Sequence, residues 1–323
     1  MLSYAKLLRH PRVLRSLTGL RPLAFARLCF RFASCWAEAE FRRRDRPGRL
    51  HAVGAGHPYT LARDADKLLL FLALARHGLT YELAGVLFGL DGSNARKLFL
   101  RLAPVVEAAA DPQLAGFLAD AQRRREETGG TVGTWEELLA ACPELEEVAV
   151  DTCEHARLRP GGKRGRRRFY SGKAKRFTLK TGVVASRAGG GRILHVTGCH
   201  PGPTADRTLY EKERLHELIP EKTRQFLDSG FQGLATLCPG HDLRLPHKRK
   251  SPGRKGRGKK GPPLTRGQKQ ANTLRSKRRV VVEHALARIR GYRLMADRWR
   301  SAAERHNPVF RAVAAVTNFR LAG

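Results

Sequence analysis

Apolar residues recur every three or four positions along residues 1–125, which is typical of amphipathic helices. Within this region, 64–77 is almost wholly apolar through its middle, so we predict a buried helix there. From about residue 144 the pattern changes to short runs rich in Val, Ile and Thr, which favour β-strands. The chain is therefore expected to have an all-α region followed by an α/β region.

The strand-like runs of the second region lie at 147–151, 177–185, 192–197 and 225–228. Glycines at 189–191 supply a turn between the second and third runs, so these two are predicted to form a hairpin. Helices are predicted at 205–218 and 276–291. Three strands, a helix, a strand and later helices is the element order of an RNase H-like α/β domain, although order alone does not establish a fold.

Two short helices around a glycine-containing turn are predicted within residues 80–102. Thr80 and Ser93 are the predicted N-caps of the two helices. Five apolar side chains are expected to face a core: Leu83, Val86, Leu87, Leu98 and Leu102. This arrangement predicts a helix-turn-helix, whose second helix enters a major groove. Polar residues on the outer face of that helix are then the candidate DNA contacts: Asn94, Arg96, Lys97 and Arg101. The alternative is an ordinary helical hairpin that contacts no DNA.

Charge points to a polyanionic partner. The chain has 323 residues, with 62 Lys plus Arg against 29 Asp plus Glu, a net charge of +33. A protein with this charge repels itself unless a polyanion is near, so nucleic acid is the first candidate partner and an anionic membrane surface the second. The longest apolar stretch, 68–75, is far shorter than the roughly 20 residues that cross a bilayer, so we predict no membrane span.

Six cysteines are scattered without any CxxC pair, which indicates neither a disulfide scaffold nor a thiolate zinc site. We interpret them as reduced thiols of a cytoplasmic protein.

Residues 243–282 hold 15 Lys or Arg and no acid, with Gly and Pro throughout 251–263. We expect a mobile loop or arm there, inserted into the second domain over about 243–278, because it lacks the apolar surface to fold alone. A phosphate-tracking arm is favoured over a solvated linker.

Three acids of the second region are candidate functional residues because of their positions in the predicted elements. Asp151 and Asp228 end the first and fourth predicted strands, and Glu283 lies beside an apolar helical stripe of Val282, Leu286 and Ile289. A carboxylate in a basic stretch that meets DNA repels phosphate. A hard divalent cation explains such residues, because Mg²⁺ prefers carboxylate oxygens and two ions promote in-line displacement at phosphorus. The alternative is that each acid only forms a salt bridge with its basic neighbours.

The second region resembles the DDE transposases of bacterial insertion sequences, in the branch related to eukaryotic Harbinger elements. The resemblance is carried, in the family's order, by Asp-Thr-Cys-Glu at 151–154, Arg-Pro at 159–160, and the blocks YSGKAKRFTLK at 170–180, GRILH at 191–195, PGPTAD at 201–206, DSGFQG at 228–233 and RVVVEHA at 279–285. Arg290 stands where the family has a basic residue, and the predicted helix-turn-helix lies where that branch carries one. Any block alone is weak, but the ordered set is specific.

Carried over by position, the resemblance implies that Asp151, Asp228 and Glu283 are the catalytic, metal-binding triad for Mg²⁺ or Mn²⁺, with two ions bound. It also implies that Asp206 is a further metal-site acid, although this residue heads a predicted helix and can equally serve as a favourable N-terminal charge. Basic residues beside the site would contact the DNA backbone: Lys173, Lys175, Lys180, Arg279 and Arg290. For Tyr170, packing is an equal alternative.

The sequence departs from the family pattern at four positions. Thr152 replaces a usual Gly, Ala205 a usual His and Phe231 a usual Tyr, while Ser276 stands where related enzymes often have Tyr. The 55 positions from Asp228 to Glu283 exceed the compact family spacing, and the basic insertion accounts for the excess. None of these changes removes a carboxylate, which favours an active enzyme.

We therefore expect a helical DNA-binding region at 1–125 and an RNase H-like catalytic domain at 140–323. The expected function is a DNA transposase that hydrolyses the phosphodiester at element ends and joins the freed 3′-hydroxyl to target DNA. Its partners would be double-stranded terminal inverted repeats and target DNA, held by a homodimer or higher oligomer in the bacterial nucleoid, without a membrane. The alternatives are an inactive or domesticated DNA-binding relative, acting as a repressor or architectural factor, and a nuclease without strand transfer.

Overall fold

The computed structural model describes residues 1–45, 60–114, 116–121, 134–249 and 262–322. Contacts between residues divide the chain into two compact units. The first unit contains 1–115, 154–179 and 287–323, and the second contains 116–153 and 180–286. The sequence-based domain boundaries at 125 and 140 follow the order of the chain rather than these contacts, and they stay a prediction.

Up to residue 110 the described regular elements are all helices, as the apolar periodicity predicts. The helices are α1 Tyr4–Leu7, α2 Pro11–Thr18, α3 Pro22–Arg44, α4 Asp64–His77, α5 Tyr81–Phe88 and α6 Gly92–Ala110. The middle of α4 is buried on every side, which confirms the prediction of an internal helix. Gly78 ends α4 in the left-handed conformation, with φ of 61°, where a side chain would be strained.

The turn between α5 and α6 is tight because the two helices approach at a glycine. A Cβ added to Gly85 would lie 2.5 Å from the carbonyl oxygen of Leu90. The side chain of Thr80 accepts the Leu83 N–H and caps α5, as predicted. The predicted cap of the next helix is wrong, since Asp91, not Ser93, accepts the Asn94 N–H at 2.8 Å. Because the N-cap is Asp91, α6 begins at Gly92, two residues before the start that a cap at Ser93 predicts.

The apolar face of α5 also differs from the prediction. Leu83 and Val86 are exposed, the latter at 78%, whereas Ala84, Gly85 and Phe88 are buried. Because α5 packs closely on α6 through Gly85, its small residues lie at the helix contact and the larger side chains of the other face point to solvent. The prediction for α6 is confirmed, because Leu98 and Leu102 are buried.

The rest of the chain is a mixed α/β structure. Its strands are β1 Glu147–Ala156, β2 Tyr170–Ser171, β3 Arg176–Ser186, β4 Ile193–Val196, β5 His200–Pro201, β6 Arg224–Leu227 and β7 Leu243–Arg244. The sheet order is β2-β3-β1-β6-β7, with β4 and β5 also pairing with β3. Strands β3 and β4 are antiparallel, which confirms the predicted hairpin, whereas β1 pairs with β6 in parallel.

Helices fill the connections between these strands: α7 Trp135–Ala141, α8 Lys163–Phe169, α9 Asp206–Lys212, α10 Leu215–Leu218 and α11 Leu234–Leu237. The predicted single helix at 205–218 is interrupted, because Arg214 has φ of 51° and ends the regular helical backbone. The first strand continues past its predicted end at 151, so Asp151 lies within β1. Neither α8 nor β2 is visible in the hydrophobic pattern.

Much of the basic segment is helical rather than an arm. Helix α12 spans Arg266–Arg290 and is followed by α13 Arg293–Ala296 and α14 His306–Leu321. Thr265 and Gln268 exchange side-chain to backbone hydrogen bonds of 3.2 and 3.0 Å, a capping box that begins α12 ten residues before the predicted start. The expected loop is therefore wrong for 266–278, while 250–261 lies outside the described residues.

The core of the second unit lies between β1, β6 and the helices beside them. It includes Val148, Val150, Leu227 and Tyr210, all at most 2% exposed. Val282, Leu286 and Ile289 of α12 are buried, which confirms the predicted stripe. In the ranges described above, no helix is long and apolar enough to cross a membrane.

Candidate active site

Parallel pairing of β1 with β6 brings two of the candidate carboxylates to one edge of the sheet. Val150 is opposite Leu227 in the register, and Asp151 and Asp228 are the next residues of the two strand segments. Asp151 accepts the Thr152 N–H at 2.8 Å, and Asp228 accepts the Gly230 N–H at 2.7 Å, which caps a short 3₁₀ turn. Both carboxylates are thus oriented by the backbone that follows them.

Asp206 begins α9 and lies beside the same edge. Its Oδ1 accepts hydrogen bonds from Thr152 Oγ1 at 2.7 Å and from Lys180 Nζ at 2.9 Å. A Cβ at position 230 would lie 2.2 Å from Asp206 Oδ2 and 3.0 Å from Asp228 Oδ1. Gly230 is therefore required for the close approach of these two carboxylates.

Arg279 connects Glu283 to this group. Its Nη1 lies 3.1 Å from Asp151 Oδ2, and its Nη2 lies 2.6 Å from Glu283 Oε1. Glu283 is one turn beyond Arg279 on α12, and its side chain is 48% exposed. One guanidinium thus bridges the carboxylate on β1 and the carboxylate on the helix.

Electrostatics at the site oppose ionisation of Asp151. Burial raises its pKa to about 6, and the negative charges of Asp228 and Asp206 add to that increase. The Thr152 N–H and the Arg279 guanidinium partly offset these effects. A carboxylate whose charged form is destabilised by its neighbours in this way is typical of a functional site.

An open cleft of about 310 Å³ lies beside Asp228. Its wall combines one carboxylate with cationic and small polar side chains: Leu227, Asp228, Ser229, Pro246, Asn272, Arg275, Ser276 and Arg279. Ser276, where related enzymes often have Tyr, contributes little bulk to this wall. The cleft thus offers two guanidinium groups next to a carboxylate, which suits a phosphate group.

The donor chemistry at this edge fits a hard divalent cation, since Asp151, Asp206 and Asp228 present carboxylate oxygens from separate elements. As the side chains stand, however, no three His, Cys, Asp or Glu residues of the described ranges are grouped closely enough to hold an ion. Lys180 and Arg279 pair with the carboxylate oxygens instead. Metal binding therefore requires Lys180 and Arg279 to share these carboxylate oxygens with the ion or to release them.

The candidate DNA contacts on α6 have mixed surroundings. Asn94, Arg96 and Lys97 are exposed at the first turns of the helix, and the Asn94 amide bonds to Asp91. Arg96 also lines a cavity of about 370 Å³ next to Tyr81 and Phe99. Arg101 is not directed to solvent, since it pairs with Glu40 and lies 5.2 Å from the ring of Trp36.

The remaining basic candidates lie at three kinds of position. Lys173 and Lys175 are exposed in the turn between β2 and β3. Arg290 is exposed at the last residue of α12. Lys180 is buried, and its ammonium donates to the Thr204 carbonyl at 2.7 Å as well as to Asp206. Lys180 is thus part of the carboxylate group rather than of the surface.

Sequence reasoning did not identify Thr152 or Gly230 as parts of the site. Thr152 stood out only as a departure from a family pattern, and its partner Asp206 is 54 positions away. Gly230 follows Asp228 by two residues, and only the nearness of Asp206 reveals why a side chain is excluded. No local pattern signals either role, because both depend on contacts between distant segments.

Comparison with known proteins agrees with this geometry. A family model described as DDE superfamily endonuclease matches residues 150–318, which includes all four carboxylates. The chain is 24% identical over 297 residues to a protein of Microchaete diplosiphon described as the probable transposase for insertion sequence element IS702, covering 92% of each chain. No solved structure matches.

Proposed function

Because the chain belongs to the DDE superfamily of endonucleases, we propose that it is a DNA transposase of an insertion sequence. The observation that carries the proposal is the meeting of Asp151, Asp206 and Asp228 at one sheet edge, with Glu283 linked to them through Arg279. The matched relative of similar length, described as a probable transposase, supports the choice of transposition within the superfamily.

We propose Asp151, Asp228 and Glu283 as the catalytic carboxylates and Asp206 as an additional acid of the same site. Mg²⁺ or Mn²⁺, bound by these carboxylates, would supply activation of the attacking oxygen and stabilisation of the leaving oxygen. The catalytic domain would then be RNase H-like, in keeping with the mixed sheet and the central parallel pair of β1 and β6.

The chemistry consists of two displacements at phosphorus. In the first, a water oxygen attacks the phosphodiester at the element end, the bond from phosphorus to the 3′-oxygen breaks, and that oxygen takes up a proton. In the second, the freed 3′-hydroxyl loses its proton and attacks a phosphodiester of target DNA, so one P–O bond forms as another breaks. No protein side chain forms a covalent bond to DNA.

The basic side chains at the site would bind and orient the substrate. Arg275 and Arg279 face the cleft beside Asp228, where a scissile phosphate would be held. Lys180 and Thr152 fix the orientation of Asp206.

Outside the site, α5 and α6 would act as a helix-turn-helix, with Asn94, Arg96 and Lys97 as candidate DNA contacts. Lys173, Lys175 and Arg290 would contact the phosphate backbone, and two DNA ends would require a dimer or higher oligomer.

The test is cleavage of a labelled duplex that carries the flanking ends of the gene, with Mg²⁺ or with EDTA. We expect metal-dependent nicking at the end by the wild type and none by Asp228→Asn. The matched control is Asp242→Asn, an Asp that pairs with Arg244 outside the site, and it should retain cleavage. Salt-sensitive binding without a nick in any protein would contradict catalysis and favour an inactive DNA-binding relative.

Product analysis with a second, unlabelled duplex separates transposition from simple hydrolysis. A transposase joins the labelled 3′-end to the second duplex, so a longer labelled product appears. Nicking without such a product would favour a nuclease of the same fold over a transposase.

A further inference from the structure

Helix α8, Lys163–Phe169, carries a concentration of positive charge that folding does not explain. Five of its seven residues are basic: Lys163, Arg164, Arg166, Arg167 and Arg168. No residue of this helix is buried. It lies in a stretch, 155–205, that contains no Asp or Glu.

Within the part of the chain that the structure describes, none of these five side chains forms a salt bridge. Arg166 only donates to the Gly162 carbonyl, at 3.1 Å. Some exposed arginines of the chain have acidic partners, among them Arg42, Arg207, Arg214, Arg244 and Arg293. What distinguishes α8 is that five cations without such a partner lie within seven consecutive residues.

The charge pattern opposes the helix that carries it. Lys163 and Arg167, like Arg164 and Arg168, are four positions apart, and like charges at this spacing destabilise a helix. Lys163 and Arg164 also lie at the N-terminal end, where the helix dipole disfavours cations. An external anion bound at this face would offset the repulsion.

The helix is nevertheless held in place at its C-terminal end. The ring of Phe169 lies 4.3 Å from the guanidinium of Arg157 and 5.3 Å from that of Arg168. The next residues form β2, in which Tyr170 pairs with Phe177 of β3. The five cations are thus displayed from an anchored element rather than from a free tail.

The density of positive charge along α8 is close to the density of phosphate charge along duplex DNA. Seven helical residues extend about 10 Å at 1.5 Å per residue. Duplex DNA of that length carries about six phosphate charges, at one per 1.7 Å of axis. The five charges of α8 match this density. The helix contains only Lys, Arg, Gly and Phe, so it has no Asn or Gln to read adenine, and its Phe169 ring is already stacked on Arg157.

We propose that α8 is a binding element for the phosphate backbone of duplex DNA, independent of base sequence. The turn that follows β2 adds the exposed Lys173 and Lys175 to the same basic stretch. This inference rests on the proposed DNA substrate, but it concerns binding and not cleavage. It assigns to α8 the sequence-independent DNA binding that a transposase needs at any target site.

The test replaces all five basic residues of α8 by Gln in the full-length protein. Binding to a fluorescent 30-base-pair duplex is measured by anisotropy in EDTA, across a range of salt concentrations. Each phosphate contact contributes about 0.9 to the slope of log affinity against log salt. We expect the magnitude of the slope to decrease by about 4.5, with equal losses on element-end and scrambled duplexes.

The matched control replaces Arg42, Arg207, Arg214, Arg244 and Arg293 by Gln, which removes the same net charge from residues that have acidic partners. We expect this control to keep the salt slope within about one unit of the wild type. A second variant, with the four arginines of α8 changed to Lys, keeps the charge and should keep the slope. It also separates loss of charge from any failure to fold.

Three results would overturn the proposal: equal losses in the α8 variant and the control, a loss confined to the element-end duplex, or unchanged DNA binding with loss of binding to phosphatidylserine vesicles. The outcome is separate from that of the proposed function. If the wild type does not cleave DNA but the α8 variant still loses affinity for it, the proposed transposase activity is wrong and the DNA-binding role of α8 stands.

Discussion

Asp151 bears its negative charge where burial opposes it, so its ionisation reduces the stability of the folded protein. Its pKa is raised from 3.8 to about 6. Between these values Asp151 is more protonated in the folded than in the unfolded state, so its contribution to stability decreases as pH rises through this window and is lowest above pH 6. A pKa shift of two units corresponds to about 3 kcal/mol.

We predict that Asp151→Asn abolishes cleavage and raises the thermal midpoint at pH 7.5, because the amide has no charge to desolvate. The difference from the wild type should shrink as pH is lowered toward 4, where Asp151 is protonated in the wild type. Calorimetry at several pH values measures this effect, with Asp242→Asn as control. An unchanged or lower midpoint at pH 7.5 would show that the charge is not opposed by its site.

Thr152 acts on the site through Asp206, to which it donates a hydrogen bond of 2.7 Å. We predict that Thr152→Val, which keeps the shape and removes the hydroxyl, lowers the nicking rate about tenfold, as is usual for groups that orient site residues. Thr152→Ser keeps the donor and should stay within about threefold of the wild type. Rates at saturating DNA measure both. Equal rates for Val and Ser would exclude the orienting role.

At the scale of elements, the contact between α5 and α6 depends on Gly85. We predict that Gly85→Ala destabilises the protein by about 1–3 kcal/mol, because the added Cβ would lie 2.5 Å from a backbone carbonyl that has little room to move. Denaturant unfolding measures the change. Gly161→Ala is the control, since nothing lies within 4 Å of the added carbon. Similar effects for the two substitutions would contradict the close approach of α5 and α6.

For the whole molecule, the net charge of +33 makes stability depend on anions in solution. A ligand that binds only the folded state at 100 times its Kd adds about 2.7 kcal/mol to stability. We predict that random-sequence duplex DNA raises the thermal midpoint by several degrees at 50 mM salt and by much less at 500 mM, where phosphate contacts are screened. An equal shift at both salt concentrations would argue against an electrostatic interaction.

The sequence alone predicted the mixed α/β class, the buried helix α4 and the β3–β4 hairpin, which the structure confirms, and its motifs supplied the four acidic candidates. These features depend on local periodicity, turn glycines and ordered motifs, all of which are visible in neighbouring residues. Two of the errors were local, since the cap at Asp91 and the capping box that begins α12 are contacts between residues three positions apart. The reversed face of α5 depends instead on the helix that it packs against, which the hydrophobic pattern does not contain.

Only the tertiary structure decided how the acids are held. The parallel register of β1 and β6 places Asp151 beside Asp228, while Thr152, Lys180 and Gly230 fix Asp206 next to them. These contacts join residues that are tens of positions apart, so no spacing rule in the sequence predicts them. The same limit applies to α8, whose composition is visible in the sequence, whereas only the folded structure shows that its five cations form no salt bridge with a described residue.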